Sequence, residues 1–171
     1  HRVAEHAMPR QLPDLGIVTP ARELAFLKPW SSPGRRGASQ WRMHEFPAAN
    51  AHSNARALVR LMSVYADGGR LEGKRFISGE TLEALTRERV SGPDKVLPFD
   101  LSWGAGVMRN THTAFYGPEP AAIGHSGWGG SCAMADPVRG LSAAYVMNRQ
   151  QHHLAGDPRP TRLIEALYGC L

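Results

Sequence analysis

Two apolar runs separated by a five-residue turn constrain this chain more than any other feature. Residues 131–135 and 141–148 flank Asp136-Pro137-Val138-Arg139-Gly140, which is the signature of a β-hairpin. A strand with one solvated face alternates apolar and polar residues. These two runs are apolar almost throughout. The hairpin is therefore expected near the centre of a sheet, covered on both faces, and the chain must supply helices to cover it.

The rest of the sequence supplies them. Ser53 reads as an N-cap, followed by Ala57, Leu58, Leu61, Met62 and Tyr65 at helical spacing on one face. Gly68-Gly69 offers the left-handed stop. A second helix is expected from an N-cap at Ser78, with Glu80 in its first turn and Leu82, Leu85 and Val90 turned inward. The stretch Leu71-Glu72-Gly73-Lys74-Arg75 between them reads as a tight connection. Short apolar runs at 101–108 and 121–125 precede the hairpin, and Pro160-Thr161 opens a closing helix through Leu163, Ile164, Leu167 and Tyr168. Helices first, consecutive strands next and a terminal helix last predict an α+β fold with an antiparallel sheet.

Residues 1–50 differ in character. Pro9, Pro13, Pro20, Pro29, Pro33 and Pro47 interrupt them, and Ser31-Ser32-Pro33-Gly34 reads as a turn. They are expected to form an extended connecting segment with one short helix near residues 20–27, leaving 51–171 as the folded portion. The formal charge of +5 is spread over scattered arginines, of which only Arg35-Arg36 are adjacent, and this argues against a nucleic-acid reader. No apolar stretch approaches the roughly 20 residues that span a bilayer. Cys132 and Cys170 lack metal or redox spacing and are expected as buried free thiols, with no metal or cofactor implied. The start, His1-Arg2-Val3, reads as the middle of a longer polypeptide.

The densest chemical candidate is Gly124-His125-Ser126-Gly127-Trp128-Gly129-Gly130, and three readings compete for it. A nucleophile elbow G-x-S-x-G needs Gly where Trp128 stands, and needs a helix directly after the serine, whereas a strand is expected there. Cysteine catalysis through Cys132 and His125 would use a thiol inside an apolar strand, where burial suppresses the thiolate. The third reading is an edge strand bordering an active site, with glycines that let a substrate approach the backbone closely.

On that third reading His125-Ser126-Gly127 resembles the K-T-G or H-T-G triad of penicillin-recognising serine hydrolases. Other segments agree, in family order. Residues 48–58 and Tyr65-Ala66-Asp67-Gly68-Gly69 resemble the helix after the family's active-site loop. Ser78-Gly79-Glu80-Thr81-Leu82 is similar to its S-P-E-T helix start, and residues 101–108 to a glycine-rich strand. The chain thus resembles the C-terminal portion of a β-lactamase-like serine hydrolase or esterase, a relative of class C β-lactamases and D-Ala-D-Ala carboxypeptidases. The resemblance implies a β-lactamase/transpeptidase-like fold, with an antiparallel sheet flanked by helices but without the N-terminal strands and nucleophile helix.

It also implies roles. The family transfers an acyl group from a small ester or amide through a serine of S-x-x-K, with a tyrosine from Y-x-N or Y-x-S sharing the proton. His125 would take the Lys position as a catalytic side chain, and Ser126 and Gly127 would meet the substrate. The backbone N–H of Trp128 would help bind the oxyanion. A histidine there, with an ordinary pKa near 6.5, attracts an anionic penicillin less than a lysine would, which favours esterase or peptidase chemistry. No serine of this sequence has Lys three residues later, and no tyrosine has Asn or Ser two residues later. The expectation is one wall of a site, inactive without the missing N-terminal half. The alternatives are a catalytically dead relative that binds or supports, an enzyme of unrelated design, or a basic binding domain.

Overall fold

The computed structural model describes residues 3–4, 6–28, 42–45, 49 and 51–171. The expected turn at Ser31-Ser32-Pro33-Gly34 and the Arg35-Arg36 pair lie outside these residues. The near-N-terminal helix α1 (Pro20–Arg22) runs on as a π-helical turn over Glu23–Leu27, capped by the Thr19 hydroxyl. Ahead of it, Ala7 forms a parallel bridge to Arg149, so this segment returns to the far end of the chain.

Helix α2 (Ala55–Ala66) begins one residue later than the sequence suggests. Asn54, not Ser53, accepts the Ala57 N–H at 2.9 Å, and asparagine caps as well as serine. The helix ends where Gly68 and Gly69 take φ of 56° and 90°. Its buried stripe is Met62, Val64 and Ala66, whereas Leu61 is 59% exposed, so the apolar face is rotated from the expected one. The tight connection is a two-stranded hairpin, β1 (Arg70–Leu71) with β2 (Lys74–Arg75), turned by Glu72 and Gly73 at positive φ. Ser78 caps α3 (Gly79–Thr86) as expected, accepting the Thr81 N–H at 3.1 Å.

A strand appears where the second helix was expected to continue. Arg87 turns extended and ends α3, and Val90 lies in strand β3 (Val90–Pro93), 61% exposed. From there the sheet is a sequential antiparallel meander: β3, β4 (Asp100–Trp103), β5 (Met108–Arg109), β6 (Ile123–Ser126), β7 (Cys132–Asp136) and β8 (Leu141–Tyr145). The hairpin turn between β7 and β8 is held by Asp136, whose Oδ1 accepts the N–H groups of Val138 and Arg139. Strand β7 is buried nearly throughout, but β8 is the outer strand among the described residues and only half-buried. The expected double cover is complete on β7 and partial on β8, which both α2 and α4 touch; its place at the outer edge, away from the sheet centre, is what differs.

Each face of the sheet has its own core. Met62 and Ala66 of α2 pack on Val107, Ile123 and Ala135. On the opposite face, Ile164 of α4 (Pro158–Tyr168) joins Leu101, Met108, Tyr116, Cys132 and Met134. Helix α4 starts two residues before the expected Pro160, capped by Asp157. Its Tyr168 hydroxyl donates to Asp136 Oδ2 at 2.6 Å and docks the helix on the hairpin turn. Cys132 is buried, but Cys170 is exposed, against the expectation of two buried thiols.

Candidate active site

Register decides what each residue of the glycine-rich run can reach. In β6, His125 pairs with Ala133, which packs with the α2-side core; Ser126 pairs with Cys132, which belongs to the α4-side core. Neighbouring side chains on a strand point to opposite faces, so His125 and Ser126 are separated by the sheet. Gly124, two residues from Ser126, shares its face, and nothing larger fits there, since a Cβ would lie 2.5 Å from the Ala133 carbonyl oxygen.

His125 is exposed at its outer edge, with the Trp103 ring 5.6 Å away. Desolvation by the surrounding protein lowers its pKa below the ordinary 6.5, against a smaller opposing effect of a hydrogen bond with the Ser126 backbone. The neutral imidazole is therefore the form present at pH 7.

Ser126 is 9% exposed, and its side chain lies on the face of Tyr116 and Cys132, where its hydroxyl lowers the pKa of both against the larger effect of burial. Tyr116 is fully buried, and its hydroxyl donates to Met108 Sδ at 3.3 Å. Burial raises the Tyr116 pKa well above the ordinary tyrosine range. Burial likewise pushes the Cys132 thiol up to about 11, so it is not a thiolate at neutral pH, and the sheet divides it from His125. After Ser126 the chain enters a turn and then β7, which is not the strand-to-helix geometry of a nucleophile elbow.

The turn itself is tightly bonded. Gly127 N–H donates to the Ser131 carbonyl at 2.7 Å, and Gly130 N–H donates to the Gly127 carbonyl at 3.0 Å. Gly129 donates to the His153 carbonyl at 3.1 Å, while its own carbonyl accepts from Gln151 N–H and from Arg159 Nη2. The Trp128 ring stands edge-on to Phe26, 5.3 Å between centroids, so the N-terminal segment closes over the turn.

Two sets of residues near this turn escaped sequence reasoning. Asp157-Pro158-Arg159 lies ahead of the expected helix start at Pro160, and nothing in the sequence ties it to Gly129. Phe26 carried no signal at all. One further Ser–His contact, Ser91 Oγ to His112 Nε2 at 2.8 Å, lies exposed beside the outer strand β3. Among the described residues no group of His, Cys, Asp and Glu could hold a metal ion, and no helix is long and apolar enough to cross a membrane.

An antiparallel sheet with helices on both faces, and a glycine-rich turn after a strand bearing His125, defines the class as β-lactamase/transpeptidase-like. Comparison with known proteins agrees. The chain matches the Beta-lactamase family over residues 7–168, and it belongs to that family. It is 36% identical over 159 residues to the Esterase/beta-lactamase LipL of Mycobacterium tuberculosis (strain ATCC 25618 / H37Rv), covering 86% of this chain and 36% of that protein. A penicillin-binding protein homologue from Caulobacter crescentus superposes with a TM-score of 0.90 at 54% identity, over 98% of this chain and 44% of that one. A family VIII carboxylesterase superposes with a TM-score of 0.87 at 38% identity, over 100% and 44%. The chain therefore spans less than half the length of these relatives, which come from a family of serine hydrolases.

Proposed function

We propose that this chain forms one wall of an acyl-transfer site that works through a serine ester on a small ester or amide. The N-terminal half of the fold would supply the nucleophile. The observation that carries this reading is the bonded turn at 127–131, which follows directly on the strand that exposes His125. The Trp128 N–H serves as one oxyanion donor, paired with the N–H of the nucleophile itself. The substrate space implied for Gly127 is instead taken by the turn itself, since a Cβ there would lie 2.3 Å from Ser131 Oγ. His125, neutral at pH 7, offers a hydrogen bond and not a positive charge, which favours uncharged esters over anionic β-lactams.

We infer a different place for Ser126 from the one the triad resemblance implies. Its hydroxyl faces the α4-side core and supports β6 from behind through Tyr116 and Cys132. A second reading, a catalytically dead binding relative, draws on the absence of S-x-x-K from residues 1–171. Turnover of a p-nitrophenyl ester separates the two. The chain alone is expected to show none above background, and the chain joined to its N-terminal half is expected to hydrolyse the ester. His125→Ala in the joined protein is expected to lower kcat/KM. An inert joined protein establishes the dead relative, and an unchanged kcat/KM removes His125 from the site.

A further inference from the structure

We propose that Arg159, locked in place by Asp157, is the positioning residue that aims the Trp128 N–H at the oxyanion. The proposal rests on the serine-hydrolase reading above and adds a residue about thirty positions from the glycine-rich turn.

The geometry begins at the start of α4. Asp157 is only 3% exposed and caps the helix by accepting the Arg159 backbone N–H at 2.9 Å. Both of its carboxylate oxygens also accept from the Arg159 guanidinium, from Nε at 3.0 Å and Nη2 at 2.7 Å. Burial alone would raise the Asp157 pKa, but the hydrogen bonds and charge of Arg159 outweigh it and hold the carboxyl below its ordinary range. The guanidinium is thus fixed on one side, and its other donors are aimed. Nη2 donates to the Gly129 carbonyl at 2.9 Å and Nη1 to the Arg149 carbonyl at 2.9 Å. A planar fork with this many directed donors is a property of arginine and not of lysine.

The turn is seated directly on this pair. Gly130 has φ of +116°, and a Cβ there would lie 2.3 Å from Arg159 Nη2 and 2.5 Å from Asp157 Oδ2. Seating Gly129 and Gly130 brings the Gly130 N–H to the Gly127 carbonyl. That carbonyl and the Trp128 N–H belong to one planar trans peptide unit, in which C=O and N–H point in opposite directions. Turning the Gly127 carbonyl into the loop therefore turns the Trp128 N–H out of it. A loop containing three glycines has little conformational preference of its own. An oxyanion donor stabilises the transition state only when its direction is set in advance. The Asp157–Arg159 pair sets it.

The test uses the chain joined to its N-terminal half, with Arg159→Ala and Arg159→Lys compared with the unmodified enzyme. In both variants kcat on a p-nitrophenyl ester should fall about 10- to 100-fold with KM changed by less than about twofold, since oxyanion contacts form only in the transition state. Guanidinium chloride at millimolar concentration should restore part of the kcat of Arg159→Ala, which a general loss of stability would not allow. Thermal unfolding confirms that each variant is folded at the assay temperature. Should Arg159→Ala fail to fold, Arg159→Lys carries the test, because it keeps a cation beside Asp157. A folded variant with unaltered kcat overturns the positioning role while leaving the serine-hydrolase reading intact. An inert unmodified enzyme overturns that reading, and this proposal with it.

Discussion

Ser126→Ala separates the two places that Ser126 could occupy, in the substrate site or behind it. The substitution deletes a hydroxyl that lies beside Tyr116 and Cys132 on the α4-side face and favours the ionised form of each. Tyr116 is fully buried, and its hydroxyl would be left with Met108 Sδ, a weak acceptor at 3.3 Å. Under-satisfying a buried hydroxyl costs about 1–3 kcal/mol. The joined protein is more than twice the length of this chain, and at about 2.1 cal/mol/K of unfolding entropy per residue each kcal/mol moves its Tm by about 1–1.5 °C, so a drop of roughly 1–4 °C is expected. The cost should also be shared. In a double-mutant cycle with Tyr116→Phe, the two losses should sum to more than the double variant loses, by about 0.5–1.5 kcal/mol, because both remove the same contact. The assay is thermal and urea unfolding of the chain joined to its N-terminal half, with ester kinetics on the same samples. The expected result is a lower Tm with kcat/KM within about threefold of the unmodified protein, as for a hydroxyl that touches no substrate. An unchanged Tm with a kcat/KM loss above about tenfold would refute the reasoning and return Ser126 to the substrate.

Tyr168→Phe should cost about 1.5–3 kcal/mol, because it removes a hydrogen bond at 2.6 Å to the buried Asp136 carboxylate and leaves no cavity. Urea unfolding measures it, and a loss below about 0.5 kcal/mol would show that the contact does not dock α4. A thiol reagent such as DTNB at pH 8 should label Cys170 within seconds and Cys132 only on unfolding, since Cys132 is buried with its thiol pushed up to about 11. Two equally fast thiols would contradict that burial. Acidification should destabilise the fold through His125 and His153, whose pKa values are both lowered first of all by desolvation, with the neighbouring His152 acting the same way on His153. The unfolded chain takes up these protons near pH 6.5 and the folded chain only at lower pH, so the stability is complete above about 6.5 and is lost below it. A variant carrying His125→Gln and His153→Gln should lose less Tm between pH 7 and pH 5.5; an identical loss would dismiss both groups.

The middle of this fold is legible in the sequence because its strands are apolar and its turns are rich in Gly, Pro and Asp. The β7–β8 hairpin, the cap at Ser78 and the closing helix all follow from local signals of that kind. Strand β3 does not, since Val90-Ser91-Gly92-Pro93 is an exposed edge with no alternation, and Val90 also fits a helical spacing from Leu82 and Leu85. The face of α2 is not legible either, because Leu61 and Met62 are adjacent and equally apolar, and only the sheet decides which of them it covers. The site divides in the same way. The glycine-rich run is conspicuous by composition, yet composition cannot say that Ser126 faces away from His125. That depends on the register with Cys132 and Ala133. The supports of the turn, Phe26 and the Asp157–Arg159 pair, come from distant parts of the chain and enter only when the sheet brings them together.

The central claim is that this chain contributes a wall of the site and that its own serines are not the nucleophile. Peptide mapping after reaction with a serine-directed phosphonate tests it most directly. In the chain joined to its N-terminal half, the adduct should lie on a serine outside these 171 residues, and the chain alone should take up none. An adduct on Ser126, or on any other serine of this chain, would contradict the account.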